Sequence, residues 1–497
     1  MNANLYRLLF DHFSENIEQP CLLIPDGSVI HYDQLDAASA RIAHVLVDAG
    51  CKIGDRVAVQ VDKCWEALAL YLGCLRAGLV FLPLNTGYQK SELAYFFADA
   101  EPRVIVCRPE SADVVAPLRP GAVVLTLGDG KGTLLDRAAD RQEAFETITS
   151  KPDDLAAIVY TSGTTGRAKG AMLTHRNLGS NALTLVDAWG FTRGDVLLHA
   201  LPIYHVHGLF VAVHCVLLSG SRALWLTKFD AGEVRALLPR ATVMMGVPTF
   251  YTRLLADPQF GASDCRSMRL FVSGSAPLLP ETFGEFQRRT GHTILERYGM
   301  SETGMNTSNP LAGERIAGTV GPPLPGVSVR IVAADGSECA TGEVGGIEVK
   351  GHNVFAGYWR LPEKTREEFT ADGWFRTGDM GEILANGYLR IVGRAKDLII
   401  TGGLNVYPKE VEEKIDALPG VVESAVIGVP DADFGEAVTA VVVARSGHTP
   451  AEEELLAALK AEIASFKVPK RVYFVDALPR NSMGKVMKNI LRERFSP

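Results

Sequence analysis

Through the first two-thirds of the chain, short runs of β-branched and aliphatic residues alternate with stretches whose apolar positions recur every three or four residues. The first pattern fits buried strands, and the second fits helices with one apolar face. This rhythm predicts a helix over 32–49 stopped by Gly50, a strand over 57–61, a helix over 65–77 and a strand over 80–83. It returns as strands over 243–247, 270–273 and 294–297, with helices over 249–256 and 280–290. Strand and helix in alternation imply parallel sheets covered by helices. After Pro310 the texture changes. Gly, Pro and short β-rich runs dominate 316–393, and Asn386-Gly387 between two apolar stretches is a two-residue hairpin signal. The remainder returns to a mixed pattern, with helices over 408–418 and 451–464 and strands over 421–429 and 438–443. The expected fold is α/β. A large N-terminal domain of helix-covered sheets plus a β-rich subdomain spans 1–395, and a small α/β C-terminal domain spans 396–497.

Composition narrows the function. The 497 residues are 47% apolar and 22% charged, with a formal net charge of −8. That balance disfavours nucleic acid and anionic membranes as main partners, because both reward an excess of Lys and Arg. No apolar run reaches the roughly 18 residues of a membrane span. Residues 1–15 carry Asp11 and Glu15 rather than a basic-then-apolar leader, so a cytoplasmic location is expected. The eight cysteines are scattered, without CxxC or metal-ligand spacing, and read as buried free thiols.

The strongest local signal is Tyr160-Thr-Ser-Gly-Thr-Thr-Gly-Arg-Ala-Lys-Gly170, directly after the apolar run 155–159. Gly163, Gly166 and Gly170 allow tight turns and close backbone approach to a ligand. The hydroxyls of Thr161, Ser162, Thr164 and Thr165, with a run of backbone N–H groups, can surround phosphate oxygens. Lys169 adds a mobile positive charge. No Gly-Lys-Ser/Thr closes the loop, so it is not a P-loop.

This stretch resembles the signature loop of the adenylate-forming superfamily of acyl-CoA synthetases, luciferases and peptide-synthetase adenylation domains. Further motifs follow in the family's order. They are Leu201-Pro-Ile-Tyr-His-Val-His-Gly208, Ser273-Gly-Ser-Ala-Pro-Leu278, Arg297-Tyr-Gly-Met-Ser-Glu-Thr303, Thr377-Gly-Asp379, Gly393-Arg-Ala-Lys-Asp397 and Pro479-Arg-Asn-Ser-Met-Gly-Lys485. The resemblance implies an enzyme that joins a carboxylic acid to ATP as an acyl-adenylate and passes the acyl group to coenzyme A. Gly274, Ser275 and Ala276 would lie beside adenine, and Tyr298 would offer it a flat face. Gly299, Met300 and Ser301 would border the nucleotide, with Ser301 standing where the family usually has Thr. Asp379 would accept the ribose hydroxyls, with Arg394 assisting. Glu302 would hold Mg²⁺, which favours one or two carboxylates plus phosphate oxygens. Lys485 would reach the α-phosphate. The C-terminal domain would then swing about Lys396, taking Lys485 away and bringing Gly402 and Gly403 in for the pantetheine arm.

The acid is read from Arg297, which precedes Tyr-Gly-Met at a predicted strand end. A buried guanidinium is costly unless paired, and a substrate carboxylate would pair with it in bidentate fashion. Arg253 is a second candidate donor, and Glu296 or Glu302 is the competing internal partner for Arg297. The wider wording, including Asn353-Val-Phe-Ala-Gly-Tyr-Trp359, is similar to malonyl-CoA synthetases. That implies a small dicarboxylate, malonate, with His205, Val206 and Met305 at the acyl pocket. Val206 stands where Thr is common and Gly304 where Asn is common, which opens methylmalonate as a second acid. A monocarboxylate–CoA ligase and an adenylation enzyme loading a carrier protein are the alternatives. His205 and His207 read equally as packed structural histidines, without the spacing of a zinc site.

Overall fold

The computed structural model describes residues 2–161, 168–401, 404–431, 434–445, 447, 450–481 and 484–496. Two sheets form the large part. One orders its eight strands as Gly304–Ser308, Ile294–Met300, Leu270–Ser273, Val243–Gly246, Val196–His199, Arg222–Trp225, Pro20–Leu23 and Val29–His31. The other orders Val123–Thr126, Val104–Cys107, Arg56–Gln60, Val80–Pro83, Leu155–Thr161 and Lys169–Thr174. Inner pairs are parallel, as the alternation implies, but Val29–His31, Gly304–Ser308 and Lys169–Thr174 run antiparallel at the edges. These three are joined to their neighbours by short connections, which only antiparallel pairing permits.

Side-chain alternation builds two cores. Val57 and Val59 face the core shared with the eight-stranded sheet, whereas Ala58 faces a second core with Phe96, Phe97 and Ile158. The helix Trp65–Arg76 is buried at every position from Glu66 to Arg76. A helix apolar nearly all round belongs between layers, and this one packs on Tyr32–Asp48 within the shared core. Each fully buried Leu or Phe there contributes about 1.5–3 kcal/mol.

A four-stranded antiparallel sheet follows, in the order Val327–Val332, Gly345–Gly351, Phe375–Ile383 and Leu389–Arg394. Its last hairpin departs from the two-residue turn expected at Asn386-Gly387. Gly387 N–H bonds Leu384 O at 2.8 Å and Leu384 N–H bonds Tyr388 O at 2.9 Å. Only Gly387 has positive φ, at +81°, whereas a two-residue type I′ turn needs it at both central positions. The connection is therefore a type I turn closed by a left-handed glycine.

The C-terminal sheet orders Leu404–Val406, Ile399–Thr401, Gly435–Ala444 and Val421–Asp431, with Arg471–Val475 parallel to Gly435–Ala444. Val426, Val438, Ala440 and Val442 face the helices Pro408–Asp416 and Glu452–Glu462. Ala425, Ile427, Val429 and Val441 face the helix Lys488–Phe495 through Leu491. Among the described residues, no helix is long and apolar enough to cross a membrane.

Candidate active site

Carboxyl ends of parallel strands are where open α/β sheets bind ligands. His199, Gly246 and Ser273 end three such strands of the eight-stranded sheet. The next strand runs past its expected end at 297 to Met300, carrying Arg297, Tyr298, Gly299 and Met300. It turns back through Ser301 and Glu302 into Gly304–Ser308. Loops after these strands therefore converge on one place.

Arg297 is 3% exposed, and its Nε and Nη2 have no hydrogen-bond partner among the described residues. Neither expected internal acid takes it. Glu296 instead accepts from the Gly318 amide at 3.3 Å. Glu302 Oε1 accepts from Thr161 Oγ1 at 3.1 Å and from Tyr358 OH at 3.2 Å. Adjacent strand residues point to opposite faces, so Arg297 and Glu296 cannot share a pocket. Burial lowers the Arg297 guanidinium to about 9, partly opposed by Tyr251. Gly274 makes room for it, because a Cβ there would lie 2.3 Å from Arg297 Cζ.

Two histidines share this setting. His207 Nδ1 lies 3.4 Å from Ser275 Oγ, while its buried Nε2 has no partner among the described residues. Burial first, then Arg297, His205 and His199, hold His207 well below its ordinary value. Burial and then Arg297 lower His205 to about 4. Both rings are therefore neutral at pH 7 and can donate or accept without adding charge. Ser275 holds this corner in a left-handed conformation, at φ +71°. Ala276 follows, half-buried. Val206, Ser301, Gly304, Asn177, Asn181 and Phe210 line a small cavity nearby, so the two unusual positions, 206 and 304, face the same space. Met305 is buried beneath the turn, where its Cε would lie 2.5 Å from a Cβ on Gly299. Arg253 is not brought into this group. It is exposed, whereas Tyr251 and Leu254 form the buried face of the helix Pro248–Leu255.

A second cluster lies on the other side of Glu302. Tyr298 OH donates to Asp379 Oδ2 at 2.5 Å, and Arg394 Nε pairs with Asp379 Oδ1 at 2.7 Å. Lys169 Nζ sits 4.1 Å from the Tyr358 ring centroid and 3.6 Å from Glu368. Tyr358 thus touches both Glu302 and Lys169. It is missing from the residues that the sequence singles out, although the stretch 353–359 containing it stands out there. Its segment pairs with the edge strand, where Trp359 N–H bonds Gly170 O at 2.8 Å. Ser162, Gly163, Thr164, Thr165 and Gly166 lie outside the described residues, as do Gly402 and Gly403.

Lys485 comes from the far end of the chain. Its amide donates to Asn481 Oδ1 at 2.9 Å, and Arg480 holds both the Gly484 carbonyl and Glu423. A Cβ on Gly484 would lie 3.2 Å from Thr249 Oγ1, which places this loop against the helix Pro248–Leu255. The Lys485 side chain stays accessible, yet protein crowds it. That burial, then Arg394, lowers its ammonium to about 8, with Asp379 and Asp397 opposing and Lys396 assisting. Lys396 is exposed beside Asp397, which pairs with Arg492 at 2.6 Å.

Residues 11–359 match the family described as AMP-binding enzyme, and 410–485 match the AMP-binding enzyme C-terminal domain. The malonate–CoA ligase ACSF3 of Mus musculus mitochondria is 37% identical, with 90% of this chain and 84% of that protein covered. A feruloyl-CoA synthase of Amycolatopsis is also 37% identical, with 94% of each chain covered. ATP-bound MatB from Rhodopseudomonas palustris is 57% identical and superposes with a TM-score of 0.98, over 100% of this chain and 99% of that one. The apo form of the same MatB superposes at 0.87. Both matched stretches carry motifs whose side chains meet here, and the chain belongs to the AMP-binding enzyme family.

Proposed function

We propose that this protein is an ATP-dependent malonate–CoA ligase, converting malonate, ATP and coenzyme A to malonyl-CoA, AMP and diphosphate. Malonate–CoA ligases of several organisms are 35–38% identical to it and a feruloyl-CoA synthase is 37% identical, and the site adds what separates the two acids. The observation that carries malonate is Arg297, buried with two nitrogens that have no partner among the described residues, beside His207, whose Nε2 has none there either. A free carboxylate satisfies both groups, and an uncharged acyl tail satisfies neither.

In the first half-reaction, one malonate carboxylate attacks the α-phosphorus of ATP. The bond from that phosphorus to the bridging oxygen breaks, and diphosphate leaves with the electron pair. Lys485 supplies positive charge where two anions are joined. Asp379 and Arg394 take the ribose side, Tyr298 the adenine, and Thr161 and Lys169 the phosphates. Glu302 fits a cation. It is a buried carboxylate whose charge burial opposes, and its neighbours Thr161 and Tyr358 are neutral. It would hold Mg²⁺, which supplies positive charge at the phosphates when bound. In the second half-reaction, the coenzyme A thiol gives its proton to solvent and its sulfur attacks the acyl carbon. AMP leaves as the thioester forms. Residues 396–497 turn about Lys396 between the two, exchanging Lys485 for Gly402 and Gly403. The arrangement described here corresponds to the first half-reaction, supported by Lys485 beside Arg394 and Asp379 and by the closer match to ATP-bound MatB.

The test is AMP formation and thiol loss with malonate, methylmalonate, acetate and butyrate. Malonate is expected to lead, with methylmalonate accepted beside it because Val206 and Gly304, the two unusual positions, border the same cavity. A lead for acetate or butyrate would overturn the assignment. The Gly274→Ala variant is expected to raise the malonate KM about 10-fold by pushing Arg297 aside, more than it raises the ATP KM. Equal malonate KM values in the two proteins would remove Gly274 from this role.

Lys485 also sets a pH limit. Its ammonium is lowered to about 8, so the charge needed for adenylation is lost as pH rises through that value. Adenylation kcat/KM is expected to fall above about pH 8, measured by malonate-dependent ATP–diphosphate exchange. A flat profile to pH 10 would contradict it.

A further inference from the structure

Lys63 is a buried lysine outside every motif discussed above. It is 8% exposed and follows the strand Arg56–Gln60. Among the described residues, its Nζ meets no carboxylate within ion-pair distance. It lies 2.6 Å from His199 Nδ1, 2.8 Å from His199 O and 4.2 Å from the centroid of the Trp225 ring. Two acceptors and one π face surround its nitrogen, and burial holds the group well below the ordinary lysine value.

His199 passes this contact on. Its Nε2 lies 2.9 Å from the Gly208 carbonyl oxygen. A carbonyl only accepts, so Nε2 carries the proton, and Nδ1 presents a lone pair to Lys63. The ring also stacks on Trp225, with centroids 4.8 Å apart and planes 22° from parallel. His199 ends its strand, and Gly208 lies in the π-helical turn His207–Val213. The Lys63–His199–Gly208 chain therefore clamps both ends of the loop 200–207. That loop carries Val206 and the two histidines near Arg297, His205 and His207. π-Helical turns are rare and concentrate at functional sites, where their unusual backbone must be held in place.

We propose that Lys63 is a positioning residue for the acid substrate. Acting through His199, it fixes the neck of the loop so that His207 faces Arg297. This rests on the reading of Arg297 as the carboxylate site.

The experiment compares wild type, Lys63→Met, Lys63→Gln and Lys63→Met/His199→Gln, measuring KM for malonate, ATP and coenzyme A, kcat and Tm. Methionine keeps the volume and removes the donors, whereas glutamine keeps one donor. Lys63→Met is expected to raise the malonate KM about 10-fold, with the other two KM values within about 2-fold and Tm near wild type. Lys63→Gln recovers part of the loss, and the double variant is no worse than Lys63→Met because both changes break one chain. An unchanged malonate KM overturns the proposal. So does a parallel rise of all three KM values with a drop in Tm, which is the signature of lost packing alone. If wild type turns over acetate or butyrate but not malonate, the Arg297 reading fails first and this inference falls with it.

Discussion

Replacing Lys485 with alanine is expected to slow malonyl-adenylate formation about 10³-fold and to leave thioester formation from supplied malonyl-adenylate within about 3-fold of wild type. The asymmetry follows from where the charge lies. Joining malonate to ATP brings a carboxylate against a phosphate, and Lys485 is the cation that the C-terminal region delivers beside Arg394 and Asp379. Attack by the thiol on the adenylate joins no such pair of anions. Lys485 is held for its task by its own loop, through Asn481, Gly484 and Arg480. Diphosphate release in a single turnover measures the first half-reaction, and thiol loss with synthetic adenylate measures the second. Equal losses in both would mean that alanine damages the loop rather than removing a charge.

Arg297→Ala should lower kcat/KM for malonate about 10²–10³-fold, within the 2–5 kcal/mol cost of breaking a buried charge pair. The ATP KM should hold, because Tyr298, Asp379 and Arg394 form a separate cluster. Acetate and butyrate should keep or gain activity, since the variant no longer buries an unpaired cation beside their uncharged tails. Steady-state kinetics on the four acids decide it. A uniform loss across all of them would make Arg297 structural.

Much of this fold is legible in the sequence, for a definite physical reason. The helices Tyr32–Asp48 and Pro280–Thr290 and the strands Val80–Pro83 and Leu270–Ser273 lie within a residue of the apolar periodicity that predicts them. The hairpin at Gly387 departs because one left-handed glycine closes a type I turn as well as two left-handed residues close a type I′ turn. Arg297 stands out as a charge at a strand end, but periodicity does not reveal that Glu296 would turn to Gly318 and leave it unpaired. Arg253 misleads because a helix rotates about 100° per residue, which takes it off the face that carries Tyr251 and Leu254. Tyr358 and Lys63 leave no signal of their own. Each reaches its partners across more than 50 positions of chain, Glu302 for Tyr358 and His199 for Lys63.

The most direct measurement compares malonate with its monomethyl ester, in wild type and in Arg297→Ala. The ester keeps one carboxylate for activation and cancels the charge that Arg297 is proposed to bind. Wild type should favour malonate by about 10²–10³-fold in kcat/KM, and the variant should reduce that preference to near 1. A preference that persists undiminished in Arg297→Ala would contradict the account, because the free carboxylate would then be bound elsewhere.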